Sequence, residues 1–108
     1  CAEILRISKG EKEWLLHNNI PDNKEHRQVS ISCNMKTYIV DGILDNTIYE
    51  YLGDFWHGNP AIYNQSDFNV VVKKTYGDLY LETLTRFDNL KLLGYNVKYI
   101  WESEWQKK

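Results

Sequence analysis

Tyr38-Ile39-Val40-Asp41-Gly42 and Tyr49-Glu50-Tyr51-Leu52-Gly53-Asp54-Phe55-Trp56-His57-Gly58 are the two stretches that decide how this chain is read. Each is a β-rich apolar run that ends on or encloses a carboxylate, and the second leads into two aromatics and a histidine. If the runs pair as strands, the two acids converge. Two acids beside an imidazole can hold a divalent metal and move a proton, which is phosphodiesterase chemistry.

Working outward, the pattern predicts an α/β chain of mixed (α+β) type. Ser8-Lys9-Gly10-Glu11 has the Ser-x-x-Glu form of a capping box, and Trp14-Leu15-Leu16 gives an apolar stretch behind it, so a helix is expected over 9–17. Val29-Ser30-Ile31-Ser32-Cys33 alternates with period two. Asn34-Met35 can turn the chain into a second strand, 37–40, that ends at Asp41-Gly42. Asp45-Asn46 makes the next turn, and 47–52 reads as a third strand. Residues 53–68 carry loop signals, and Val70-Val71-Val72 is open between a short strand and a helix start. Asp78 can cap a helix reaching Leu93, with Leu79, Thr83, Phe87, Leu90 and Leu93 on one face and Gly94 ending it. A last strand over 97–101 and a short helix from Glu102 complete the order: helix, three-strand meander, helix, strand, in a central mixed sheet flanked by helices.

Composition sets the bounds. The chain has 108 residues, 43% hydrophobic and 26% charged, so one domain with a real core is expected rather than disorder. No apolar run approaches the roughly 20 residues of a membrane span, and the N-terminus lacks the layout of a secretory signal. Cys1 and Cys33 have no metal-ligand spacing and suggest no framework disulfide, which fits a reduced, intracellular compartment. A start on Cys rather than Met suggests a piece of a longer protein. The net charge of −2 argues against nucleic acid, although basic pairs recur locally at Lys9 and Lys12, Lys24 and Arg27, and Lys73 and Lys74.

Each candidate residue has a plain alternative. Asp41 before Gly42 suits a turn. Glu50 within an apolar run needs a partner if buried, or an outward-facing side. His57 can be structural or a general base. Phe55 and Trp56 can be core, or a wedge between bases. Glu11 has a ready explanation as the capping-box acid of the first helix, and it can do that and also face the site. A serine or cysteine hydrolase is poorly supported, because neither Ser32 nor Cys33 lies in a glycine-flanked elbow.

The run from Tyr38 to Asp41, the run from Tyr49 to Leu52, and then Gly53-x-Phe55-Trp56-His57 resemble the very-short-patch repair endonucleases, a branch of the PD-(D/E)XK nucleases. Arg86-x-x-x-Leu90-x-x-x-Gly94-Tyr95-x-Val97-x-x-Ile100-Trp101-Glu102 resembles that family's closing helix and strand, and Ser8-x-x-Glu11 its leading helix. The chain is also similar to phage intron-encoded homing endonucleases with an ordered Glu, Asp, His, Asp signature. The resemblance covers about residues 8 to 105. It implies a restriction-endonuclease-like core, with 1–108 forming one nuclease catalytic domain that cuts double-stranded DNA with Mg²⁺ (Mn²⁺ able to substitute).

The same resemblance implies Asp41 as principal metal ligand with the Tyr51 carbonyl beside it. His57 would activate water, and Glu11 would hold water near the metal from the first helix. Glu50 stands at the acid of the wider Asp…Glu-x-Lys signature, but Leu52 replaces its Lys, so either His57 takes over or the domain is a degenerate DNA-binding module. The final Asp of the homing signature is left between Asp54 and Asp88. The expected site is thus Glu11, Asp41, Glu50 and His57, with Asp41, Glu50 and Tyr51 on the metal. Phe55, Trp56, Lys73, Lys74 and Arg86 are expected on DNA. No structural zinc is expected, because Cys33 and three scattered histidines make no ligand set. Cutting both strands needs two active sites, which a homodimer would supply. A plain structural or protein-interaction domain is the remaining alternative.

Overall fold

A computed structural model describes residues 8–33 and 35–107, so Cys1 and Asn34 lie outside the described residues. The first helix, α1 (Lys9–His17), starts at Ser8, whose hydroxyl accepts the Glu11 amide at 3.1 Å. Three strands follow, β1 (Arg27–Cys33), β2 (Lys36–Leu44) and β3 (Thr47–Leu52), as an antiparallel meander. The long helix α3 (Tyr76–Leu92) then returns the chain to β6 (Asn96–Trp101), which pairs parallel with β3. The sheet order is β1-β2-β3-β6, a mixed sheet, and α4 (Glu102–Gln106) closes the described chain.

Both sheet faces are covered. Tyr49 and Tyr51 point to one side and pack with Trp14, Leu15 and Ile20. Ile48 points to the other and packs with Val40, Ile31 and Leu90 of α3. Glu50 and Leu52 share the parity of Ile48, and both are buried. No outward face is left for Glu50. Among the described residues no helix is long and apolar enough to cross a membrane.

Three local expectations need correction. Strand β2 does not end at Asp41-Gly42 but runs on to Leu44, because Ile43 and Leu44 still find partners in Ile48 and Thr47. Residues 53–68 are not all loop: Asp54–His57 forms a one-turn helix, α2, too short to show periodicity. The Asp54 carboxylate anchors it, accepting Asn59 Nδ2 at 2.7 Å and the Ser103 amide at 3.1 Å. Finally, α3 is capped by Thr75, whose hydroxyl accepts the Asp78 amide at 3.1 Å. Asp78 thus sits in the first turn, where a carboxylate suits the helix dipole. The ambiguous Val70-Val71-Val72 forms neither strand nor helix. It is a turn between two short strands, β4 (Phe68–Asn69) and β5 (Lys74–Thr75).

Gly58 ends α2 in the left-handed region (φ 64°), and a Cβ there would run into the Tyr76 backbone carbonyl. Gly94 after α3 is also left-handed (φ 101°) but faces open space. Gly58→Ala is therefore expected to cost about 2–5 kcal/mol in urea unfolding, backbone strain plus overlap. Gly94→Ala should cost only the backbone part, about 1–2 kcal/mol. Equal losses would contradict the close packing of α2 on the start of α3.

Candidate functional site

The ladder between β2 and β3 pairs Leu44 with Thr47, Ile43 with Ile48 and Gly42 with Tyr49, and then stops. The next pair would be Asp41 and Glu50. There each strand offers a carboxylate to the other strand's amide: Asp41 N donates to Glu50 Oε2 at 3.0 Å, and Tyr51 N donates to Asp41 Oδ2 at 2.8 Å. On its other edge β2 stays paired to β1 as far as Cys33↔Lys36, and β3 to β6 as far as Leu52↔Trp101. The two central strands thus fork, with the acids filling the crotch. An amide and carbonyl of one strand residue leave on the same side, so the Tyr51 carbonyl opens toward Asp41.

Glu11 reaches this crotch from α1. It is buried, and Gln28 Nε2 donates to its Oε2 at 2.9 Å. Gln28 stands opposite Asp41, between the Arg27↔Gly42 and Val29↔Val40 pairs. Its backbone is left-handed (φ 52°), a conformation that costs energy in a non-glycine residue and gathers at functional sites. Nothing in the sequence marks Gln28.

Electrostatics ties the three acids together. Burial, then the charge of Glu50, pushes the Glu11 carboxyl up to about 7, against the opposing pull of Arg27 and Gln28. Burial, then Glu50 and Glu11, pushes Asp41 well above the usual carboxylate range, although the Tyr51 amide and Arg86 act against this. Arg86 is the nearest compensating charge. Its Nε donates to Glu50 Oε1 at 2.7 Å and its Nη2 to the Ile39 carbonyl, and its guanidinium lies over the Tyr38 ring. The pair is nearly dry, with side chains 17% and 4% exposed.

Arg86 also lines a cleft of about 700 Å³, together with Lys36, Tyr38, Trp56, His57 and Lys74. His57 meets Thr83 there, Nδ1 to Oγ1 at 3.0 Å. The Thr83 hydroxyl donates its single proton to the Leu79 carbonyl at 3.0 Å, so it must accept from His57. Nδ1 therefore carries the hydrogen, and Nε2 keeps its lone pair. Burial, with Arg86 adding to it, pulls the His57 pKa down to about 4, leaving the ring neutral near pH 7. Thr83 could be noticed in the sequence only as a hydroxyl on the buried stripe of α3.

The structure thus brings Glu11, Asp41, Glu50 and Tyr51 together at the fork, and joins them through Arg86 to the cleft that holds His57. Trp56 lines that cleft, whereas Phe55 is half-buried among Trp56, Tyr63 and Tyr76. Lys74 pairs with Glu82 at 2.6 Å, and Lys73 is exposed. Asp54 is taken up by Asn59 and Ser103, and Asp88 is exposed on α3. Among the described residues no three His, Cys, Asp or Glu side chains stand as a ready ligand set, and hydrogen bonds engage Asp41 Oδ2 and both Glu50 oxygens. The donor chemistry at the fork nonetheless suits a hard cation: a carbonyl with the half-buried Asp41 and the buried Glu11 and Glu50, acids that repel one another. Compared with known families, curated proteins and solved structures, the chain matches none.

A raised carboxyl contributes stability that is complete below its unfolded pKa of 4.5 and is lost as pH rises through its folded value of about 7. Asp41 acts in the same direction. His57, lowered from 6.5 to about 4, acts oppositely, with stability lost as pH falls through that window. Glu11→Gln removes one acidic contribution and keeps an acceptor for Gln28. In EDTA at pH 8 it should be more stable than the native chain by on the order of 1–2 kcal/mol, less than the full shift because the buried amide also loses its hydration. The gain should vanish near pH 4.5. A gain independent of pH would contradict the charge repulsion at the fork.

Proposed function

We propose that this domain is a metal-dependent DNA endonuclease on a restriction-endonuclease-like core, the catalytic domain of a homing enzyme that hydrolyses phosphodiester bonds of double-stranded DNA. The observation that carries the proposal is the forked ladder. Asp41 and Glu50 replace strand pairing at the one place where Glu11 also arrives, next to a cleft holding a neutral, oriented imidazole and several cations. A purely structural role would favour an apolar pair there, since buried repelling acids destabilise a fold.

Asp41, the Tyr51 carbonyl and Glu11 would hold Mg²⁺. Bound there, the ion supplies Lewis acidity and charge neutralisation at the phosphate. Glu50, held by Arg86 and bonded to the Asp41 amide, positions Asp41. His57 Nε2 takes the proton of the attacking water, while the Nδ1–H bond to Thr83 keeps the ring aimed. A phosphodiester anion in the cleft favours the imidazolium and so raises the basicity of His57 when it is needed. Lys36 and Lys74 on the cleft wall can receive the DNA backbone, with Trp56 beside them.

A second reading has its own support. Leu52, where the wider signature has a lysine, is buried against the core, and Arg86 is committed to Glu50. A degenerate DNA-binding module on the same fold would look the same. Nicking of supercoiled plasmid separates the two. The native protein should cut with Mg²⁺ and not in EDTA, Asp41→Ala should be inactive, and His57→Ala should lose about 10²–10⁴-fold. Cutting unaffected by EDTA or by Asp41→Ala contradicts the metal mechanism. Duplex binding in EDTA without any Mg²⁺-dependent cutting establishes the binding module.

A further inference from the structure

Residues 70–73 cap the β4–β5 hairpin with an apolar tip in which Val70 is 75% and Val71 60% exposed. Phe68, at the hairpin's first strand, is exposed as well. Such residues cost little if scattered, but here they are consecutive and held rigid. Asn69 is fully buried, and its Oδ1 accepts the Val71 amide at 3.0 Å and the Val72 amide at 3.3 Å. Its Nδ2 donates to the Phe55 carbonyl at 3.2 Å. The same carboxamide therefore shapes the tip and fixes it to α2, the helix that carries Trp56 and His57. Lys73 bends the chain back in the left-handed region (φ 60°), and its amide donates to the Asn69 carbonyl at 2.7 Å.

We propose that this hairpin tip is a duplex-DNA contact, with Val70 and Val71 lying against base edges in a groove and Lys73 on a flanking phosphate. The inference rests on the nuclease reading and deepens it. Three features select DNA as the occupant. Val72 and Lys74 of the same hairpin line the cleft beside His57 and Trp56, so a strand placed for cutting passes the tip. Lys73 is exposed, Lys74 sits at the hairpin's base and Lys36 on the cleft wall, against Glu82, which pairs with Lys74, and exposed Asp67. A rigid apolar tip between cations suits a groove, where apolar contact with bases and ionic contact with phosphates alternate.

The two contact types respond differently to salt. An apolar contact contributes equally at all salt concentrations, whereas each phosphate contact makes the slope of log K against log salt on duplex DNA more negative by about 0.9. Affinity for a fluorescein-labelled 30-base-pair duplex would be measured in EDTA from low to moderate salt, with thermal unfolding as the folding control. The double variant Val70→Ser/Val71→Ser should bind about tenfold more weakly at every salt concentration, with the native slope. Lys73→Asn, a residue that tolerates the left-handed backbone, should make that negative slope shallower by about 0.9. Both variants should melt like the native chain, since the altered side chains are exposed. Unchanged affinity in the double variant, while the native protein binds, overturns the tip contact and leaves the nuclease reading standing. No binding by the native protein at low salt overturns both.

Discussion

The structure turns on a place where a β-ladder gives way to side chains. Past Gly42 and Tyr49 the two central strands separate, and the Asp41 and Glu50 carboxylates take the amides that strand partners would otherwise hold. Buried amides must be paired, so the fork persists only while both acids stay in position. Two carboxylates this close repel, and Glu11 adds a third charge from α1. Arg86 makes the arrangement tenable by pairing with Glu50 and bonding the Ile39 carbonyl.

That single cation links the two sides of the site. Arg86 is on α3, three residues and about one turn after Thr83, so the helix that neutralises Glu50 also carries the hydroxyl that orients His57. The imidazole in turn sits at the end of α2, held by the close approach of Gly58 to Tyr76 and by the Asp54–Asn59–Ser103 bonds. A shift of α3 would disturb both the acids and the imidazole. This shared dependence is why a chain of 108 residues can support a fork of buried charges: each charge is placed by an element the core already fixes.

Much of the scaffold was legible in residue patterns. The Ser8 cap set the start of α1, the alternation around Ile31 marked β1, and the stripe from Leu79 to Leu90 gave α3, because burial imposes periods of two or 3.6. The convergence of Asp41 with Glu50 followed from strand pairing alone. The rest lacked a local signal. Gln28 earns its left-handed backbone from a contact seventeen positions away in Glu11, and Arg86 meets Glu50 thirty-six positions away, which no spacing rule encodes. Helix α2 leaves no periodic signal because four residues hold barely one turn, and its anchors, Asn59 and Ser103, lie outside it. Glu50 looked free to face outward only because the sequence could not tell that helices cover both sides of the sheet.

The central claim is that the fork is a cation site, and anomalous diffraction from crystals soaked in Mn²⁺ tests it most directly. The account predicts a peak at the crotch of β2 and β3, within coordination distance of the Asp41 carboxylate and the Tyr51 carbonyl, with Glu11 turned toward it. Crystals that take up Mn²⁺ only at surface carboxylates, with the Asp41, Glu50 and Arg86 bonds unchanged, would contradict it.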